Sequence, residues 1–289
     1  MTQLKQIFQH DSKPISAGAV LTFNIPVFST IDDIILEFNN SGAAASKTNI
    51  IAGINKVAFS INGEQVINCP LRCLYDVYAS LGNEVEQNIS NVIGLNIARY
   101  LFKDPVTEDY FAFGNVGVQT LQLQVYCAAS VTDLTDLSIS TIRRDVNTNL
   151  GAFLKVIDYP QNMSSTGTSS IDTLPRDSNE AYMSVMVYNG GGAISTGECV
   201  VNGTNVFDPM SQAENDYIVS ARGLAPVSGV FNYSFSDGSI KSFLPMPNVT
   251  ELRFKTVFGT APTAGTYDMI AVTIKNVPAA MLEAFTASK

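Results

Sequence analysis

The chain has 289 residues and a net charge of −9, with charged side chains at only 15% of positions, against about 25% in a typical soluble domain. The longest basic run is the pair Arg143-Arg144, so the basic footprint of a nucleic-acid binder is missing and direct contact with DNA or RNA is not expected. A length of 289 suits two domains of about 140 residues, and a surface this poor in charge suits burial against partners.

The opening MTQLKQIFQHDSKP lacks the continuous apolar core and small-residue cleavage site of a secretory leader, and no run of eighteen apolar residues follows that could span a membrane. Leu4, Ile7 and Phe8 fit one face of a short helix, which could dock on the protein's own core, a lipid surface or a neighbouring subunit. Residues 19–28 (AVLTFNIPVF) and 31–38 (IDDIILEF) are β-branched and aromatic, and predict strands; Pro26 marks a strand edge or bulge. VAFSINGEQVIN (57–68) is a hairpin: a type I′ turn needs positive φ at both central residues, which Asn62 and Gly63 tolerate best. CPLRCLYDVYASLG (69–82) changes period, with Leu71, Leu74, Tyr78 and Leu81 at helical spacing, Pro70 in the first turn and Gly82 as the stop. Strands return at 91–102 and 107–113, and in GVQTLQLQVYC (117–127) Leu121, Leu123 and Val125 alternate with Gln122 and Gln124. Residues 128–150 are polar, and the domain boundary is placed there, giving domains 1–132 and 133–289.

The second half repeats the order. AFLKVIDY (152–159) reads as a strand, PQNMSSTGTSS (160–170) as an exposed loop, AYMSVMVYN (181–189) as a strand and GGGAISTGE (190–198) as a turn region. CVVNGTNVFD (199–208) is a second Asn-Gly hairpin, Asn202 lying 140 positions after Asn62. A helix is predicted over 208–223, with Asp208 as N-cap, Pro209 at the first position and Gly223 as the stop. GVFNYSF, an Asp237-Gly238 turn and SIKSFLP form another hairpin, two further strands follow, and PAAMLEAFTASK suits a terminal helix. A period of 140 is a duplicated domain, not a solenoid unit. Many short strands punctuated by turns argue an all-β protein of two tandem eight-stranded jelly rolls, each with a short helix after its Asn-Gly hairpin.

Catalytic patterns are sparse. His10 is the only histidine, which leaves little for nucleophile–base chemistry. Asp32-Asp33, Glu84 and Glu86, and Glu214 with Asp216 are the carboxylates a glycosidase could use. Neighbours on a strand point to opposite faces, and positions two apart on a helix do not meet, so all are read as solvated surface groups. Cys69 and Cys73 could share a helix face, but with Cys127 and Cys199 they are read as buried reduced thiols. No cofactor is expected; a structural calcium ion is compatible with the loop carboxylates, without assignable ligands. GGGAISTGE lacks the Lys-Ser/Thr of a phosphate loop. A carbohydrate- or receptor-binding jelly roll, a spike or lectin, is the alternative reading; with no Trp in the chain, its aromatic platform would fall to Tyr and Phe.

SINGEQV, NVGVQTLQLQVY, STIRRDV, IDTLPRDSNEAYMSVMVY, AENDYIVSARG and ELRFKTVF, in this order, resemble the major capsid protein of corticoviruses, membrane-containing icosahedral bacteriophages. Ile171–Arg176 and Glu214–Ile218 carry the nearest local likeness. The resemblance implies a non-enzymatic double jelly roll. It further implies homotrimers with six barrels that tile a capsid shell over an internal membrane, meeting penton and minor capsid proteins. The N-terminal Leu4, Ile7 and Phe8 would then be placed to touch the membrane or a membrane protein.

Overall fold

The computed structural model describes residues 5–80, 91–96, 111–236 and 243–277. The chain divides into two compact units. The first holds residues 1–79 and 83–157, and the second 80–82 and 158–289.

The first unit runs β1 (Lys5–Gln9), β2 (Lys13–Pro14), β3 (Val20–Asn24), β4 (Ile31–Asn40), β5 (Ala43–Ala44), α1 (Lys47–Gly53), β6 (Ile54–Ile61), β7 (Glu64–Pro70), α2 (Leu71–Ser80), β8 (Val92–Gly94), β9 (Leu121–Cys127), β10 (Asp136–Arg144) and β11 (Phe153–Asp158). One sheet has the order β1-β10-β4-β8, with β2 and β5 on its margins; the other has β3-β9-β6-β7 and adds β11 beyond β7. Eight strands shared four and four between two sheets in this order make a jelly roll. Alternation fills the space between the sheets. In β9, Leu121, Leu123, Val125 and Cys127 are buried while the intervening residues are not, and in β10 the alternating buried row is Leu137, Ile139, Thr141 and Arg143, with Arg144 buried beside it.

The second unit runs β12 (Gln161–Asn162), β13 (Gly167–Ile171), β14 (Glu180–Tyr188), β15 (Ala193–Val201), β16 (Thr204–Ser211), α3 (Gln212–Ala221), β17 (Val230–Ser234), β18 (Leu244–Pro245), β19 (Leu252–Thr260), β20 (Thr266–Tyr267) and β21 (Met269–Lys275). Its sheets have the orders β13-β19-β15-β16 and β21-β14-β17. These repeat the first unit's pattern, with β11 holding the place of the opening strand in the chain. Val185, Val187, Phe231, Tyr233 and Met269 from one sheet meet Cys199, Phe207, Leu252, Phe254 and Phe258 from the other in a single core. Tyr233 packs at 5.1 Å on Phe254 and 5.9 Å on Phe207, edge to face.

The two Asn-Gly hairpins are one device used twice. Asn62 and Gly63 have φ of 51° and 81°, and Asn202 and Gly203 of 49° and 77°, as a type I′ turn requires. Both hairpins skip one residue at the same place: Ile67 faces Phe59 and Gln65 faces Ser60, while Phe207 faces Cys199 and Asn205 faces Val200. Val66 and Val206 are therefore the extra residues of equivalent bulges. Each turn is also stapled to the segment leading into β9 or β19. Asn62 Oδ1 accepts from the backbone N–H of Gln119 and Thr120, and its Nδ2 donates to Gly117 O. Asn202 Oδ1 accepts from the backbone N–H of Thr250 and Glu251 and from Thr250 Oγ1, and its Nδ2 donates to Asn248 O.

Several expectations change. The N-terminal segment is a strand, β1, paired antiparallel with β10, so Ile7 and Phe8 project to opposite sides instead of sharing a helix face. The compact units part at 157/158, and β10, which a division at 132/133 gives to the second domain, belongs to the first unit's sheet. The polar stretch 128–150 contains β10, whose Ser and Thr residues disguise an inward row. Residues 160–170 contribute β12 and most of β13, and GGGAISTGE turns only at its glycines before β15 begins at Ala193. Helix α3 starts at Ser211, where a capping box joins Ser211 and Glu214; Asp208 and Pro209 lie in β16. Gly223, at φ 76°, stops it as expected. Cys69 lies near the end of β7 and does not share α2 with Cys73. Leu4, Leu81, Gly82, Glu84, Glu86, the Asp237-Gly238 turn and the terminal helix lie outside the described residues.

Candidate interaction surfaces and a buried ionic clamp

The residues with chemical potential are used within the fold. Asp32 and Asp33, read as solvated, are both fully buried. Burying a carboxylate demands partners. Asp32 Oδ1 accepts from Arg144 Nε at 2.5 Å, and Lys5 Nζ lies 3.5 Å from Oδ2. Asp33 Oδ1 accepts from the backbone N–H of Ile34 at 2.8 Å and of Asn96 at 3.0 Å. Asn96 Nδ2 donates to the carbonyls of Asp32 and Phe111. A Cβ on Gly94 would stand 2.6 Å from Asp33 Oδ2, so the glycine lets β8 close over the carboxylate. The cluster ties β1, β4, β8 and β10 together.

Arg143 lies beside it, fully buried. Its Nε donates to Thr141 Oγ1 at 2.9 Å and its Nη2 to Pro26 O at 2.7 Å. Its guanidinium carbon sits 4.2 Å from the centroid of half-exposed Phe28 and 5.9 Å from that of Phe8, within cation–π range of two rings that themselves meet edge to face. Burial pushes its pKa down to about 10, which leaves it charged at neutral pH. His10 Nε2 is 3.0 Å from the same Thr141 hydroxyl. Burial, then the Arg143 charge, lowers the His10 pKa, against a smaller upward pull from Asp11.

Glu214 is bound in the capping box, and Asp216 accepts from Gln212 Nε2 at 2.8 Å. All four cysteines are free and buried; burial, then Glu198, pushes the Cys199 thiol up to about 12. Among the described residues, no group of three or more His, Cys, Asp or Glu is placed to hold a metal.

What remains open is surface. On the first unit, Ile7 is 71% exposed and Phe28 stands half out. On the second, Val206 of β16 is 47% and Tyr217 of α3 75% exposed. Tyr217 lines a groove of about 500 Å³ between β16 and α3, together with Asp208, Pro209, Met210, Ala213 and Glu214. The residue pattern does not single out Phe28, Val206 or Tyr217, because exposure of one apolar residue in a strand or helix follows from its neighbours in space.

Two jelly rolls in tandem, each with a bulged Asn-Gly hairpin followed by a helix, make a double jelly roll, and solved structures of viral capsid proteins share this fold. The major capsid protein P2 from bacteriophage PM2 aligns with a TM-score of 0.77 over 95% of this chain and 98% of its own, at 18% identity. The Sulfolobus turreted icosahedral virus structure aligns at 0.68 over 98% and 96%, at 14% identity. The Faustovirus major capsid protein aligns at 0.62 over 95% and 90%, at 7% identity. By sequence, residues 153–277 match the family model of the viral coat protein P2 C-terminal domain, beginning at the first residue of β11. No curated protein matches the chain by sequence.

Proposed function

We infer that this chain is the major structural protein of an icosahedral virion, acting without catalysis and assembling as a homotrimer of six jelly rolls. The observation that carries this is the duplication itself: the same strand order, bulged Asn-Gly hairpin and following helix appear in both units of one chain. The P2 coat-domain match over 153–277 supports the virion assignment, and the low content of charge suits large buried contacts between copies. We place the shell over an internal membrane, with penton and minor capsid proteins as further partners. An acidic coat without a basic arm suits a genome kept apart by a bilayer. Ile7, on the outward side of β1, offers a contact to that membrane or to a neighbouring subunit.

Light scattering after size exclusion tests the reading. A mass three times 31.1 kDa that persists on dilution is expected, with six-lobed particles in negative-stain images. A monomer at every concentration overturns it.

A further inference from the structure

The two hairpins are equivalent in turn, bulge and staple, yet differ in what covers them. In the first unit, both Val66 and Ile67 of β7 are buried, Val66 to 1% exposure. The outer edge of β7 is closed by β11, running parallel, with Val156 opposite Ile67 and Ile157 opposite Asn68. In the second unit Phe207 is buried like Ile67, but Val206, at the bulge position of Val66, is 47% exposed. Among the described residues β16 pairs only with β15. The helices show the same contrast. Leu71, Cys73, Leu74, Tyr75, Val77 and Tyr78 of α2 are buried, whereas α3 buries only Asn215 and Val219. A strand edge and helix face built to one plan are thus covered in one unit and bare in the other.

The strand that covers β7 is the one that opens the next jelly roll along the chain. Its counterpart at the start of the chain is β1. That strand is a sheet edge, bonded on one side to β10 and, among the described residues, to no other strand. It carries Ile7, 71% exposed. We propose that β1 of a second copy of this chain adds in parallel to the outer edge of β16, with Ile7 meeting the Val206 and Tyr217 face and filling the β16–α3 groove. Unpaired edges are avid for backbone partners, and strand addition supplies main-chain hydrogen bonds with side-chain pockets for specificity. Each chain has one donor strand and one acceptor edge, so the contact is heterologous and either closes into a ring or runs on as a filament. A ring of three carries six jelly rolls, so the inference rests on the trimer proposed above and names its interface.

The test uses the full chain with Ile7→Glu and Val206→Glu made separately, each checked for native circular dichroism. A charge in the middle of the contact is expected to turn the trimer into monomers in either variant. Mixing the two monomeric variants restores one good contact per pair, so a species of twice 31.1 kDa is expected and a trimer is not. The Ile7→Cys/Val206→Cys double variant is expected to form covalent dimers and trimers on oxidation. A wild-type monomer overturns both this inference and the trimer. A wild-type trimer that both Glu variants retain, without intermolecular crosslinks, overturns this interface alone. If Ile7→Glu leaves the mass unchanged and instead abolishes flotation with phosphatidylglycerol vesicles, β1 serves a membrane and the proposal falls.

Discussion

Replacing Asn202 isolates the repeated staple. Its side chain makes four hydrogen bonds, at 2.8, 3.0 and 3.0 Å to Oδ1 and 3.0 Å from Nδ2. The turn is exposed, so groups released by a mutation recover water, and each bond counts near the low end of the usual range, about 0.5 kcal/mol. Asn202→Gly removes all four while tolerating the φ of 49°, and should cost about 2 kcal/mol. Asn202→Ala adds the left-handed strain of a Cβ, about 1 kcal/mol, for about 3 in total. Asn62 makes three such bonds, at 2.7, 3.2 and 3.3 Å, so Asn62→Gly should cost about 1.5 kcal/mol by the same reasoning. Urea unfolding followed by far-UV circular dichroism, at fixed protein concentration, measures these differences. A glycine variant within about 0.5 kcal/mol of wild type would show that the side-chain bonds contribute nothing and that only the turn conformation matters. Equal costs for glycine and alanine would refute the strain component.

Other outcomes follow from single sites. Asp32→Asn strips the charge that compensates buried Arg144 and should destabilise by about 3–5 kcal/mol, read from the urea midpoint; a cost below about 1 kcal/mol would mean Lys5 and Arg144 find other partners. Gly197→Ala places a Cβ 2.4 Å from Phe231 and 2.6 Å from the Tyr233 hydroxyl, so overpacking should cost upwards of about 2 kcal/mol and lower soluble yield. The four buried thiols should ignore a thiol reagent at pH 8 in the native chain and all react in urea; one fast native thiol would contradict their burial. His10 has a folded pKa below its ordinary value, so the unfolded chain binds its proton first as pH falls. Its contribution is full above about pH 6.5 and declines through acidification toward the folded pKa. The drop in urea midpoint between pH 7.5 and 5.5 should be smaller in His10→Gln, and an identical drop would clear the imidazole of any part in it.

Constraints among near neighbours make some elements legible from the residues alone. The Asn-Gly turns demand positive φ, the 121–127 alternation demands a half-buried strand, and Gly223 ends a helix. The capping box at Ser211 and Glu214 is equally local, but the more conspicuous Asp208-Pro209 pair three residues earlier competes with it as a helix start. The strand at 136–144 is hard to read because its inward row includes Thr141 and Arg143, whose burial is tolerable only beside Phe8, Phe28 and the Pro26 carbonyl.

Turn chemistry and the period of 2 act over a few residues, so the duplication, the all-β class and the hairpins are written in the order of the amino acids. The interior position of Asp32 and Asp33 is not, because it depends on contacts between distant segments. The partner of Asp32 is Arg144, 112 positions away, and a lone buried carboxylate would be untenable without it. The same holds for the two equivalent edges. Val66 and Val206 follow the same Asn-Gly turn at the same distance, yet one is buried and the other half exposed; β7 has β11 on its outer edge, and β16, among the described residues, has no such strand.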